Sequence, residues 1–216
     1  MVFAQVGDQL RSNFADNSET AVTVVIPCLN EAESLPAVLD AMPAGYRALV
    51  VDNNSTDGTA EVARAHGADV VVETRPGYGS AVHAGVVAAS TPVVAVLDGD
   101  GSLDPAALPA MVAELDRGAD MVVGRRRPVP GLHWPWHARL GTAAVCWRLR
   151  SRYNLAVHDI GPMRVARRDA LLGLQVADRR SGYPLELMVK AAAAGSTLTL
   201  DNAGKTAGQK TAMASF

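Results

Sequence analysis

Residues 93–102 read VVAVLDGDGS, an apolar run followed by two aspartates on either side of a glycine. The β-branched run over 93–97 predicts a buried strand, and Asp-Gly-Asp predicts a turn at its carboxyl end. Similar short apolar runs alternate with helical patterns along the chain, and they predict strands at 22–26, 48–51, 69–72 and 121–123. Near-continuous apolar strands separated by helices indicate an α/β fold with a mostly parallel sheet and helices on both faces.

Capping patterns predict where several helices begin. Three starts are expected: Asn30 with Glu33, the segment 55–57 before Gly58, and Asp104 before Pro105. Apolar residues at helical spacing follow the third start and predict a buried face: Leu108, Met111, Val112 and Leu115. A later helix is expected near 183–194, after a turn at 159–162.

Length and composition indicate one ordinary domain. The chain has 216 residues, 49% of them hydrophobic and 19% charged, with a net charge of −2. These values exclude a disordered chain and a uniformly basic nucleic-acid binder. Cys28 and Cys146 are too few for a disulfide framework or a four-cysteine zinc site, so we expect a cytoplasmic protein. The predicted organisation is a flexible leader over 1–20, a single domain over 21–200, and a flexible or atypical tail over 201–216.

The N-terminal region shows no apolar core of a signal sequence, and no apolar run reaches the length of a membrane span. Charge is nevertheless divided along the chain. Residues 1–120 carry 5 Lys and Arg against 17 Asp and Glu, whereas residues 121–216 carry 15 against 5. The acidic half could hold a cation, and the basic half could face phosphates or an anionic membrane surface.

Acidic side chains follow the predicted strands, at the edge where open parallel sheets bind ligands. Asp98 and Asp100 can converge on one hard cation, Mg²⁺ or Mn²⁺, although Asp and Gly are also ordinary turn residues. Asp52 follows the second strand, where a carboxylate can reach a ribose or base. The segment 77–79 lacks the third glycine of a dinucleotide fingerprint, and the chain contains no P-loop.

Four segments follow one another along the chain: VIPCLNE at 25–31, VVDNNSTDGT at 50–59, RPGYG at 75–79 and DGD at 98–100. In this order they resemble the family-2 glycosyltransferases of the GT-A fold, a Rossmann-like α/β fold, and in particular the bacterial polyprenyl-phosphate (dolichol-phosphate-type) sugar synthases. The resemblance covers about residues 21–195. It implies a nucleotide-sugar half over 21–124 and an acceptor half over 125–200.

The resemblance assigns roles on the donor side. The implied donor-binding residues are Pro27, Asn30, Glu31, Asp52, Arg75, Gly77, Gly79, Asp98 and Gly99. Pro27, Asn30 and Glu31 would line the nucleoside pocket, Asp52 would contact the base or ribose, and residues 75–79 would form the floor. Asp98 and Asp100 would bind the metal and diphosphate, with Ser102 near the metal.

On the acceptor side the resemblance implies phosphate ligands at Arg126 and Arg139. Asp159 and Glu186 are candidates for acceptor positioning or for a general base, and an ordinary structural role is equally open for Glu186. Trp134 and Trp136, beside arginines, suggest a loop over the acceptor or a peripheral contact with the cytoplasmic membrane face.

The predicted function is metal-dependent transfer of a hexose from a nucleotide-sugar donor, of GDP-mannose or UDP-glucose type. The expected acceptor is a polyprenyl phosphate or another small molecule, and the resemblance implies inversion at the anomeric carbon. Two alternatives remain. One is a nucleotide-sugar-binding protein with weak or no turnover, because the basic C-terminal segment of such synthases is reduced here. The other is a sugar nucleotidyltransferase, although its usual glycine-rich first loop is missing.

Overall fold

The computed structural model describes residues 22–124, 151, 161, 163–195 and the backbone of 198–201. The strands are β1 (Val22–Cys28), β2 (Tyr46–Asp52), β3 (Asp69–Val72), β4 (Val93–Val96), β5 (Met121–Gly124), β6 (Arg164–Arg167) and β7 (Leu198–Asp201). The helices are α1 (Leu35–Asp40), α2 (Thr59–Ala65), α3 (Tyr78–Ala88), α4 (Leu108–Asp116), α5 (Arg168–Gly173) and α6 (Tyr183–Ala193). The predicted leader, and the predicted tail beyond residue 201, lie outside the described residues.

The strands form one seven-stranded sheet in the order β3-β2-β1-β4-β6-β5-β7. The β1–β2, β1–β4, β2–β3 and β5–β7 pairs are parallel, whereas β6 runs antiparallel to both β4 and β5. The α/β class and the five predicted strands are therefore confirmed. Sequence analysis missed β6, because Arg164 and Arg167 break the apolar pattern by which the other strands were identified.

Two apolar clusters cover opposite faces of the sheet, as expected for a parallel sheet with helices on both sides. Val24 and Ile26 face α1, α2 and α4, while Val25 faces α3, α5 and α6. The predicted stripe on α4 is buried in the first cluster: Leu108, Met111, Val112 and Leu115. The continuous apolar sequence of β1 is therefore explained by burial on both sides of the strand.

The predicted helix starts have different outcomes. Asp104 accepts a hydrogen bond from the backbone N–H of Ala106 at 2.9 Å, and a short 3₁₀ turn then leads into α4. The start before Gly58 is also confirmed, because α2 begins at Thr59. The cap predicted at Asn30 is wrong: α1 begins only at Leu35, and Asn30 has a left-handed backbone with φ of 58°.

The direction of chain connection reverses between β1 and β4. From β1 the chain passes outward to β2 and β3, then returns to place β4 on the other side of β1. In open α/β sheets the crevice at such a reversal, outside the carboxyl ends of the strands, is the usual ligand site. None of the described helices is long and apolar enough to cross a lipid bilayer.

Candidate functional site

The turn after β4, residues 98–102, is here called the acidic turn. Asp100 Oδ1 accepts the backbone N–H of Ser102 at 2.9 Å, and Gly101 has a φ of 73° that favours glycine. Gly99 is buried against the end of β1, and a Cβ atom there would lie 2.7 Å from Cys28 Sγ. Small residues thus let the acidic turn lie close against β1, and its two carboxylates are brought to the crevice edge.

A tyrosine hydroxyl contacts the first carboxylate of the acidic turn. Tyr78, at the start of α3, donates from Oη to Asp98 Oδ1 at 3.3 Å. Burial and the charge of Asp98 raise the pKa of Tyr78, so the phenol remains a donor over the working pH range. Asp98 is therefore partly fixed by the protein before any ligand binds.

Glu31, in the loop after β1, also lies beside the acidic turn. Ser34 Oγ donates to Glu31 Oε2 at 2.9 Å and also lies 2.9 Å from the carbonyl oxygen of Gly99. Desolvation and the negative charges of Asp100 and Asp57 raise the pKa of Glu31. The structure thus gathers negative charge around the acidic turn, an arrangement that favours binding of a cation.

The acidic turn fits a cation that keeps open coordination positions. Within the described residues, no group of three or more His, Cys, Asp or Glu side chains is arranged to hold a metal ion. Mg²⁺ and Mn²⁺ prefer oxygen ligands, and Mg²⁺ commonly binds one or two carboxylates together with water and substrate phosphate. Asp98 and Asp100 meet that requirement, provided that a diphosphate supplies further oxygens.

The loops after β1 and β2 are joined by reciprocal hydrogen bonds. The backbone N–H of Asn30 donates to Ser55 Oγ at 3.0 Å, and Asn30 Oδ1 accepts from the N–H of Thr56 at 2.8 Å. Asp52 is only 8% exposed, and its Oδ1 accepts the N–H of Ser55 at 3.1 Å. The structure therefore brings Asn30 and Asp52 together, and their part in nucleoside binding stays a prediction.

Pro27 lies within β1 and is buried there, opposite Val51 of β2. The pairing of β1 with β4 ends at Val25, so the missing N–H of this proline leaves no strand partner unsatisfied on that side. The position is explained by the sheet itself, and lining of the nucleoside pocket by Pro27 stays a prediction.

Residues 75–79, here called the glycine turn, are held by a buried asparagine that sequence analysis did not assign to the site. Asn53 is 2% exposed. Its Nδ2 donates to the carbonyl oxygens of Glu73 at 2.6 Å and Arg75 at 2.9 Å, and its Oδ1 accepts the N–H of Gly77 at 2.8 Å. An amide has both donors and an acceptor, so one side chain can fix this turn.

The N–H groups of Gly79 and of Ser80, the residue after the glycine turn, meet a second protein segment. Gly79 N–H donates to the carbonyl oxygen of Arg180 at 3.2 Å, and Ser80 N–H donates to that of Arg179 at 2.8 Å. A Cβ atom on Gly77 would clash with Arg179 O, and one on Gly79 would lie 2.7 Å from Asp178 O. Both glycines are explained by close protein packing, and the side chain of Arg75 is exposed.

The carboxylate of Glu186 is hydrogen-bonded by groups of the protein itself. Its two carboxylate oxygens accept the N–H groups of Ala177 at 2.9 Å and Asp178 at 2.6 Å, and Lys190 Nζ lies 3.0 Å away. These hydrogen bonds and the lysine lower the pKa of Glu186 to about 2. A carboxylate so weakly basic is poorly suited to remove a proton near neutral pH, and the roles of Glu186 in acceptor positioning or as a base stay predictions.

Arg164 is a buried arginine near the acidic turn, and sequence analysis assigned it no role. This arginine lies on β6 and is 2% exposed. Its strand partner is Val96 of β4, which precedes Asp98 by two residues. Its guanidinium group hydrogen-bonds to Tyr78, which itself contacts Asp98. The only sequence signal is an arginine beside the apolar pair Val165 and Ala166, where a surface position would ordinarily be expected.

Three candidate residues of the acceptor half, Arg126, Arg139 and Asp159, lie outside the described residues, as do Trp134 and Trp136. The described backbone places the flanks of these segments side by side, because Gly124 N–H donates to the carbonyl oxygen of Met163 at 2.9 Å. The roles of the three residues stay predictions.

The sheet order, the acidic turn and the loops at the crevice form a candidate ligand site of an open α/β sheet, and sequence comparison identifies the family. The family described as glycosyl transferase family 2 matches residues 23–173. The chain belongs to this family, is a glycosyltransferase and has the GT-A fold. This membership favours glycosyl transfer over the sugar nucleotidyltransferase alternative.

Individual relatives extend the comparison. An uncharacterized glycosyltransferase of Mycobacterium tuberculosis strain H37Rv is 76% identical over 175 residues, which cover 81% of this chain and 80% of the relative. The undecaprenyl-phosphate mannosyltransferase of Micrococcus luteus is 34% identical over 184 residues, covering 77% of this chain and 74% of that protein.

Solved structures support the fold. Glucosyl-3-phosphoglycerate synthase from Mycobacterium tuberculosis, crystallised with Mn²⁺, UDP and glucosyl-3-phosphoglycerate, matches with a TM-score of 0.73 at 22% identity. The match covers 89% of this chain and 73% of that chain. At this identity, the likeness establishes the shared fold.

Proposed function

We propose that this glycosyltransferase transfers a hexose from a nucleoside-diphosphate sugar to a polyprenyl phosphate, with a divalent cation bound at the acidic turn. The observation that carries the proposal is the placement of Asp98 and Asp100 on either side of buried Gly99, at the crevice between β1 and β4. The specific donor, acceptor and cation are parts of this proposal.

The donor would lie across the carboxyl ends of β1, β2 and β4. The hydrogen-bonded loops at Asn30 and Asp52 would border the nucleoside, and the acidic turn would lie beside the diphosphate. A bound Mg²⁺ or Mn²⁺ would neutralise charge on the diphosphate leaving group. Asp98 and Asp100 would hold that cation, and Glu31 would add to the negative field around it. The crystallised neighbour that contains Mn²⁺ and UDP is consistent with such a donor site.

The acceptor proposal rests on chemistry and on relatives. A phosphate monoester is already a nucleophilic anion, so its attack needs no general base, whereas a hydroxyl acceptor must lose a proton. Glu186 accepts two backbone N–H groups, which weaken its basicity, and a phosphate acceptor would need no base from it. Relatives named undecaprenyl-phosphate mannosyltransferase and polyprenol monophosphomannose synthase are 34% and 32% identical. The basic second half of the chain would suit an anionic acceptor.

The test is a transfer assay with purified full chain. Radiolabelled GDP-mannose and UDP-glucose are incubated separately with undecaprenyl phosphate in detergent, with Mn²⁺, Mg²⁺ or EDTA. We expect label in the organic extract with one donor and its disappearance in EDTA. Asp98→Asn and Asp100→Asn should each lower the rate by about 100-fold, because charge stabilisation at the leaving group is commonly worth several kcal/mol. Proton NMR of the product tests the proposed inversion.

Asp104→Asn is the matched control, because Asp104 lies two residues beyond the acidic turn and caps the 3₁₀ turn through Oδ1, which asparagine retains. Its rate should equal that of the unmodified chain. A second arm replaces the lipid with 3-phosphoglycerate. Label in a water-soluble product of this arm alone would contradict the polyprenyl acceptor. Donor binding without transfer in either arm would contradict both acceptor classes and favour binding with weak or no turnover.

The location of the reaction follows from the proposed acceptor. A polyprenyl phosphate is anchored in a bilayer, so the protein would contact a membrane surface at least transiently. Cytoplasmic location and peripheral membrane contact stay predictions, which sedimentation of the protein with vesicles that contain undecaprenyl phosphate would test. Nucleic acid is not expected among its partners, and its oligomeric state is open.

A further inference from the structure

A buried arginine lies behind the acidic turn. Arg164 is 2% exposed, and its Cα partner across the β4–β6 ladder is Val96. Paired residues of neighbouring strands project to the same sheet face, and Val96 packs in the apolar cluster formed with α3 and α6. Arg164 therefore lies under these two helices, within an otherwise apolar layer. An arginine is seldom buried so fully unless specific partners hold it.

One partner of Arg164 links it to the acidic turn. The guanidinium group hydrogen-bonds to the side chain of Tyr78, and Tyr78 Oη donates to Asp98 Oδ1 at 3.3 Å. Arg164 therefore contacts Tyr78, and Tyr78 contacts Asp98. This series of contacts begins on β6, beside β4, and ends in the turn that follows β4. Every member comes from a different element: β6, α3 and the turn after β4.

We propose that Tyr78 and Arg164 are positioning residues that hold the Asp98 carboxylate in the orientation needed to bind the divalent cation. This inference rests on the proposed function, because it takes Asp98 as a cation ligand. The hydroxyl fixes one oxygen of Asp98, and the guanidinium fixes the hydroxyl. A carboxylate oriented in advance loses less rotamer freedom when it binds a cation, and partners of metal ligands commonly change metal affinity by about 10- to 100-fold.

The test measures cation affinity separately from turnover. Free Mn²⁺ is followed by electron paramagnetic resonance during titration of the full chain, in the presence of UDP and, separately, of GDP. Tyr78→Phe removes the hydroxyl and keeps the ring. We expect about tenfold weaker Mn²⁺ binding. Arg164→Lys keeps the charge but loses the planar guanidinium geometry, and it should weaken binding in the same direction.

Tyr183→Phe is the matched control. Tyr183, on α6, is buried, and the charges of Arg164, Arg179 and Glu186 influence its pKa. Removal of its hydroxyl should leave Mn²⁺ affinity unchanged. A second readout is the Mn²⁺ dependence of transfer. The defect of Tyr78→Phe should appear as a higher half-saturating Mn²⁺ concentration and disappear at saturating Mn²⁺, which a general folding defect would not do.

The outcomes separate this inference from the function on which it rests. If the unmodified chain binds no Mn²⁺ with either nucleotide, the proposed cation site is wrong and the inference falls with it. If the unmodified chain binds Mn²⁺ and folded Tyr78→Phe binds it equally well, only the positioning role is overturned. An equal loss in Tyr78→Phe and Tyr183→Phe would also overturn it, because the effect would then come from the packing of α3 and α6. If Arg164→Lys does not fold, the comparison of Tyr78→Phe with Tyr183→Phe decides the proposal by itself.

Discussion

The acidic turn and the glycine turn each follow a strand, contain two glycines and were both predicted to bind the donor. The structure gives them different surroundings. Asp98 and Asp100 of the acidic turn are partly exposed, whereas Gly77 and Gly79 of the glycine turn donate their N–H groups to Asn53 and Arg180. A glycine pattern thus reports that something approaches the backbone closely. It does not tell whether a ligand or another protein segment makes that approach.

The largest effect should come from Gly77→Ala in the glycine turn. Gly77 has a φ of 126°, and a Cβ atom there would clash with the Arg179 carbonyl oxygen. Strain and overpacking together should lower the free energy of unfolding by about 3 kcal/mol, measured by urea denaturation. Gly118→Ala is the control, because Gly118 has a φ of 108° but open space around its Cα. It should cost about 1 kcal/mol, from the backbone alone. Equal losses would mean that the packing against Arg179 is loose.

The second effect concerns the asparagine that holds the glycine turn. Asn53→Asp keeps an acceptor for Gly77 but replaces the donor to the carbonyl oxygens of Glu73 and Arg75 by a repelling oxygen. We expect a loss of about 2 kcal/mol in the free energy of unfolding, since buried groups lose their partners. Asn54→Asp makes the same change at an exposed neighbour and should alter stability much less. A similar loss in both variants would show that added negative charge, not the hydrogen bonds, is responsible.

The third effect tests residues 177–180, the segment on which the glycine turn packs. Glu186 holds the N–H groups of Ala177 and Asp178, and its pKa of about 2 lies below the ordinary value of 4.5. Because the folded-state pKa is lowered, this carboxylate stabilises the fold above about pH 4.5, and the stabilisation is lost as pH falls towards 2.

Glu186→Gln should therefore lower the thermal midpoint at pH 7, and the difference from the unmodified chain should shrink as pH falls from about 5 to about 2. Glu61→Gln is the control, because Glu61 is exposed in a loose pair with Arg64 at 3.8 Å. It should change the midpoint little. A Glu186→Gln defect of constant size down to pH 2 would contradict the assigned cause.

Sequence analysis predicted the parts of the fold that periodicity encodes. Five strands follow from short β-branched runs, and the buried face of α4 follows from helical spacing. It also predicted the acidic turn, since Asp98 and Asp100 directly follow a buried strand. These features are local, so a single window of sequence contains the information.

The features that were missed depend on partners far away in the chain. Arg164 reads as a surface residue until β6 is placed beside β4, and Asn53 has no evident role until residues 73–77 are folded around it. Asn30 has the signature of a cap, but Thr56, 26 residues later, takes its side-chain oxygen instead. A residue's type limits its bonding, whereas the topology decides which partner it meets.

The smallest effect brings the comparison back to the acidic turn. Desolvation and, to a smaller extent, the charge of Asp100 raise the pKa of Glu31, so the two carboxylates repel each other in the absence of a cation. Asp100→Asn removes this repulsion and retains an oxygen for the N–H of Ser102. It should therefore stabilise the metal-free protein by about 0.5 kcal/mol, the size typical of partly exposed charge pairs. With Mn²⁺ and UDP or GDP present, the unmodified chain should become more stable than Asp100→Asn, because a ligand stabilises only the form that binds it. If Asp100→Asn instead destabilises the metal-free protein, this carboxylate serves chiefly to hold its own turn, and the acidic turn is a structural joint like the glycine turn.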